Sequence, residues 1–186
     1  MLASPSDDVS KGLYMESTNF NFLELDAETR ALMLRELRLD ISSQEGPYLG
    51  VGLTARGKAD YVSLLEGAIQ LGSEVELVDG LNEEGRVVDS PVDAARKLGN
   101  TEFNRYYIRA ICLRASAHGT NVVSVYRAQG STSPRSASVA LIGSDQPAPV
   151  ILANVRGSQG GDPATGLGRV NSGLTVRCGC ASCLAA

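Results

Sequence analysis

Three thiols stand within six residues near the end of the chain, in CGCASC, at Cys178, Cys180 and Cys183. Thiolates are soft metal ligands and redox-active nucleophiles, so such a cluster points to metal binding, disulfide formation or cross-linking. With Cys112 and the single histidine, His118, they could make a four-ligand zinc site. The spacing lacks the two C-x2-C pairs of the common zinc knuckles, so no metal ligand or other cofactor is assigned from it. A terminal cluster can also reach a neighbouring chain and oxidise once a reducing compartment is lost, which makes Cys178, Cys180 and Cys183 the expected disulfide or cross-link residues. Free thiols on a frayed tail are the remaining reading. Cys112 falls inside a helical pattern and reads as a small buried hydrophobe. His118 comes just before Gly119, a helix-ending glycine, and is expected to cap the last carbonyls of that helix.

The second chemistry is that of arginine. Residues 1–100 carry 18 acidic side chains against 9 basic ones, whereas residues 101–186 carry 3 acids against 8 bases, all arginines. Arginine keeps its charge and forks onto carboxylates or phosphates. An internal match between an acidic layer and a basic layer accounts for the asymmetry, and so does association between copies or contact with nucleic acid. Arg127, Arg135, Arg156, Arg169 and Arg177 are the candidate interface or phosphate contacts, while Arg105 and Arg109, one turn apart, are expected to pair with acids such as Glu102 or residues of the first helices. No catalytic residue is assigned. One histidine and dispersed carboxylates assemble no acid-base pair, nothing resembles a nucleophile elbow, and GSQGGDPATGLG (157–168) lacks the Lys-Ser/Thr ending of a phosphate loop.

The elements that must position these residues follow from period and punctuation. At 186 residues, 43% apolar and with a mean hydropathy of −0.04, the chain is expected to form one globular domain. Asn100–Gly119 holds the longest helical pattern and reads as the core helix. Asp26 can cap a helix to about Asp40, with Met33, Leu34, Leu37 and Ile41 buried. Thr54 can cap another, to Leu71 with Gly72 as its stop. Ser73 to Leu81 fits a short helix with a capping box and also fits a strand, and Ser90-Pro91 opens a helix ending near Leu98-Gly99. Beyond Gly119 the pattern turns to β: Asn121–Ala128, Val139–Ile142 and Leu174–Arg177 read as strands, with a turn at Asp145–Pro149. Val150–Arg156 fits a strand and a helical turn equally. The expected fold is α+β, an N-terminal helical layer on a small C-terminal antiparallel sheet. Residues 1–18 read as a flexible arm, 19–177 as the domain and 178–186 as a cysteine-rich tail. The opening stretch shows no basic and apolar signal segments, and no stretch reads as a membrane span, so synthesis in a cytoplasm without membrane attachment is expected.

The strings FNRYYIRAICLRA, VYRAQ with SPRSAS, and NSGLTVR resemble a family of small uncharacterised bacterial and prophage-type proteins over about Asn21 to Arg177. That resemblance implies a structural or assembly role in a bacteriophage particle, as a head, neck or tail accessory subunit. It implies virion localisation and, as partners, other copies of the chain and other virion proteins. It supplies no site residues. A nucleic-acid-associated regulator using the arginines and a small zinc-binding module are the alternatives.

Overall fold

The computed structural model describes residues 19–43, 52–88, 91–131, 134–158 and 162–180, with backbone only at 91–93. The expected arm (1–18), Cys183 and most of the expected tail lie outside the described residues. The element order is α1 Ala27–Ser42, α2 Ala55–Leu71, α3 Glu74–Asn82, α4 Pro91–Ala117, β1 Val122–Arg127, α5 Ser136–Leu141, β2 Asp145–Pro147, α6 Ala148–Gly157 and β3 Leu174–Cys178. The fold is α+β, with helices packed on an antiparallel sheet of strand order β2-β1-β3. Asp26 and Thr54 make the expected caps, accepting from the Thr29 and Gly57 N–H groups, and Gly72 ends α2 in the left-handed conformation.

The core helix is longer than its sequence pattern. The segment opened by Ser90-Pro91 and the one from Asn100 are one helix of 27 residues, α4. Gly99, read as a stop, lies inside it because a Cβ there would sit 2.8 Å from Val78 Cγ2 and 3.3 Å from the Val78 backbone. Its reason is the close approach of α3, not termination. Every residue from 99 to 112 is buried, with α1, α3, α6 and the sheet around the helix. Arg105 and Arg109 are therefore interior groups and must be partnered there.

Three further expectations are corrected. Val139–Ile142 is not a strand. Ser136–Leu141 forms the short helix α5, with Val139 49% exposed, so those apolar residues supply no buried strand face. The strand falls instead on the predicted turn: Asp145–Pro147 pairs with Ser124–Val122 at the sheet edge, where a proline's missing N–H is tolerated. Ile41, expected in the α1 stripe, is 45% exposed, while Met33 and Leu37 are fully buried. The ambiguous segments resolve as helices through residues four apart: Leu77 and Leu81 bury α3, and Ile151 and Val155 bury α6. Ser73 makes no side-chain capping bond; Glu74 instead accepts from the Phe20 N–H at 2.8 Å.

The β3 strand pairs with β1 in the register Val123↔Cys178 to Arg127↔Leu174. Its other edge is closed by side chains: Asn104 Nδ2 donates to the Leu174 carbonyl at 2.9 Å, and the Cys178 N–H donates to Glu24 at 2.7 Å. The β2 edge is three residues long and ends in proline. Short or side-chain-capped edges do not recruit further strands.

Candidate metal centre

Topology brings the only histidine to the C-terminal thiols. The α4 helix ends as the His118 N–H closes on the Arg114 carbonyl and Gly119 turns the chain at φ +75°. Val123 follows five residues after His118, and its antiparallel partner is Cys178. The start of β1 thus carries the helix exit to the end of β3. Cys178 and Cys180, two residues apart, present their sulfurs to the imidazole. One ligand atom from each of His118, Cys178 and Cys180 falls within 4.8 Å of the others, and His118 Nδ1 lies 3.1 Å from Cys180 Sγ. A tetrahedral ion with Zn–S of about 2.3 Å and Zn–N of about 2.0–2.1 Å holds its ligand atoms about 3.5–3.8 Å apart. The observed spacing brackets that range, so small side-chain movements suffice to close it on an ion.

Carboxylates stand behind these ligands. The first turn of α1 sets Glu28 Oε1 3.8 Å from His118 Nε2. Arg114 anchors that turn, donating to Asp26 at 2.7 Å and Thr29 Oγ1 at 3.1 Å, with Glu28 Oε2 3.4 Å from its Nε. A carboxylate on the outer nitrogen of an imidazole is the usual support for a metal-bound histidine. On the strand side, Glu24 holds the Cys178 backbone. Burial pushes the Glu24 carboxyl up, and the Cys178 N–H and Arg114 pull it partly back.

The thiol expectations change accordingly. Cys178 is the last residue of β3 and fully buried, and Cys180 is 5% exposed, so neither belongs to a frayed end. Cys112, Cys178 and Cys180 are all free of disulfides. Cys112, proposed from sequence as a fourth ligand, is not in the group. It is buried in the C-terminal third of α4, where burial pushes its thiol up to about 12, the behaviour of a small hydrophobe. His118 turns Nδ1 to Cys180, a contact that the helix-capping expectation did not include.

A thiol at one imidazole nitrogen and a carboxylate near the other is also the order of a nucleophilic triad. The small exposure of Cys180 opposes that use on any bulky substrate.

The arginines do not gather on one face. Arg156 forks onto the buried Glu36 at 2.8 and 2.6 Å, and Arg169 binds Asp162 at 2.6 Å. Arg127 donates to the Ser172 carbonyl. Arg127 faces the same side of the sheet as Val123 and Val125, whereas Arg177, opposite Ser124, faces the other. Arg135 precedes α5. Arg105 pairs with Glu102 at 2.9 Å, and Arg109 with Asp40 at 2.6 Å, as expected from sequence. Tyr61 and Tyr106 complete these pairs by donating to Glu102 and Asp40. Much of the charge asymmetry is thus discharged inside the fold.

Sequence reasoning named His118 with the C-terminal thiols and Cys112 as a possible zinc set without assigning a ligand from it, and it missed Glu24 and Glu28. The available signal was the antiparallel pairing of the first and last strands, which places the residues just before one beside those ending the other. No family model, curated protein or solved structure matches this chain.

Proposed function

We propose that this chain is a metal-binding protein whose ion fastens the end of β3 to the exit of α4. The observation that carries the reading is the convergence of His118, Cys178 and Cys180 within 4.8 Å, from a helix end and a strand end far apart in sequence. Two thiolates and an imidazole suit zinc, and the burial of both thiols suits a structural site. Three ligands leave one position of a tetrahedron. Cys183 stands in C-x2-C spacing to Cys180, the spacing at which two thiolates share one ion, and is the sequence's candidate for it. In this reading the ion stabilises the fold and performs no turnover, because binding free energy at such a site is folding free energy. Partners among other copies or virion proteins remain a proposal of the sequence resemblance.

The test is elemental analysis of full-length protein purified under reducing conditions without chelator. About one equivalent of zinc per chain is expected, retained in Cys112→Ser and lost in Cys178→Ser. A chain that takes up no zinc on reconstitution, or a Cys178→Ser variant that still holds it, overturns the reading.

A further inference from the structure

Cys178 and Cys180 differ from Cys112 in more than their neighbours. They are separated by Gly179 alone, an exposed residue where a Cβ would make only ordinary contacts, nearest the Val122 carbonyl at 3.7 Å. The missing side chain lets the backbone fold enough to bring the two sulfurs together. Cys180 Sγ lies against His118 Nδ1, and the His118 side chain is 26% exposed, which opens this end of the site to small solutes. Cys112 has no comparable approach; it is 0% exposed, in the C-terminal third of α4.

We propose that Cys178 and Cys180 are also an oxidation site, at which a small hydroperoxide closes a disulfide between them and discharges the metal ion. The proposal rests on the metal reading above. The Cys180 thiolate attacks one peroxide oxygen; the O–O bond breaks, leaving a sulfenic acid on Cys180 and releasing hydroxide. The Cys178 thiolate then attacks the Cys180 sulfur; the S–S bond forms, the S–O bond breaks, and a second hydroxide leaves. The two sulfurs lose two electrons, which reduce the peroxide, and two protons from solvent convert the hydroxides to water. His118 alone then remains of the three described ligands, too few to retain the ion. A thiol reductant reverses the disulfide and restores the site.

The test treats zinc-loaded, full-length protein with hydrogen peroxide and follows zinc with a chromogenic indicator. Alkylation and peptide mapping are done on the same samples. Loss of about one equivalent of zinc should accompany a Cys178–Cys180 linkage, with Cys112 still alkylatable and the zinc regained after a thiol reductant and added zinc. Cys178→Ser should instead accumulate a sulfenic acid on Cys180 that a dione reagent traps. Zinc retained through peroxide treatment, zinc released with both thiols still alkylatable, or a linkage through another cysteine overturns the proposal. Absence of zinc before any peroxide is added overturns the metal reading itself, so the two failures are separate.

Discussion

Replacing Arg105 by methionine isolates the energetics of the buried charges along α4. Arg105 and Glu102 are each at most 5% exposed; Arg105 Nη1 donates to Glu102 at 2.9 Å and its Nε to the Gly168 carbonyl at 3.0 Å. The substitution keeps most of the packing volume and strands a carboxylate. Breaking a buried pair in this way costs about 3–5 kcal/mol. Arg109 still acts on Glu102 and Tyr61 still donates to it, which holds the loss near the lower end, about 3–4 kcal/mol. Replacing Glu102 by leucine in the same chain removes the stranded charge and should recover all but about 1 kcal/mol, the Tyr61 hydroxyl having lost its acceptor. The pH dependence has a definite sign. Burial holds the Glu102 carboxyl above its ordinary range, against the lowering by Arg105 and Arg109. The folded state then binds its proton more tightly than the unfolded state, so stability falls as pH rises from the ordinary carboxylate value through the raised one. Without Arg105 the carboxyl rises further, so the deficit of Arg105→Met should shrink when urea unfolding is repeated at about pH 5 instead of about pH 8. A loss under about 1 kcal/mol, the size of a surface pair, or a deficit equal at both pH values, refutes this reasoning.

Asp26→Ala should cost about 1–2 kcal/mol in thermal unfolding, through loss of the α1 cap. Burial raises the Asp26 carboxyl, but the Thr29 N–H and Arg114 outweigh it and leave it lowered. The advantage over the variant should therefore vanish as pH falls through that lowered value, and one that persists in acid contradicts the assignment. Gly67→Ala, in mid-helix with nothing within 4 Å of the added Cβ, should stabilise by about 0.5–1 kcal/mol. Gly99→Ala, blocked by Val78 at 2.8 Å, should destabilise by about 1–3 kcal/mol. The same sign for both in chemical denaturation removes the packing account of Gly99. Glu28→Gln should weaken zinc binding about 10-fold or more in chelator competition if the carboxylate supports His118, and unchanged affinity would leave it a surface residue.

Legibility in the sequence followed local physics. Asp26, Thr54 and Gly72 act through their own backbone neighbours, and their roles at the helix ends were readable from one dimension. Gly99 was misread because its cause is a side chain on another helix. Val139–Ile142 was misread as a strand because β-propensity says nothing of burial, and β2 was missed because pairing with β1 overrides the turn tendency of Asp145 and Pro147. The thiols and His118 were visible as residue types, but which of them converge was not. His118 reaches Cys178 and Cys180 only through the β1–β3 register, and Glu24 and Glu28 arrive from the start of the domain. The phage-particle role rests on the resembling strings, and no geometry of the described residues bears on it.

X-ray absorption at the zinc edge of the reconstituted, reduced protein tests the central claim most directly. The account predicts a sulfur shell at about 2.3 Å together with an imidazole nitrogen at about 2.0–2.1 Å. Neither shell should be recovered in Cys180→Ser or His118→Ala, each of which lacks a ligand as Cys178→Ser does. A shell of oxygens alone, or a sulfur shell unchanged in both variants, would contradict it.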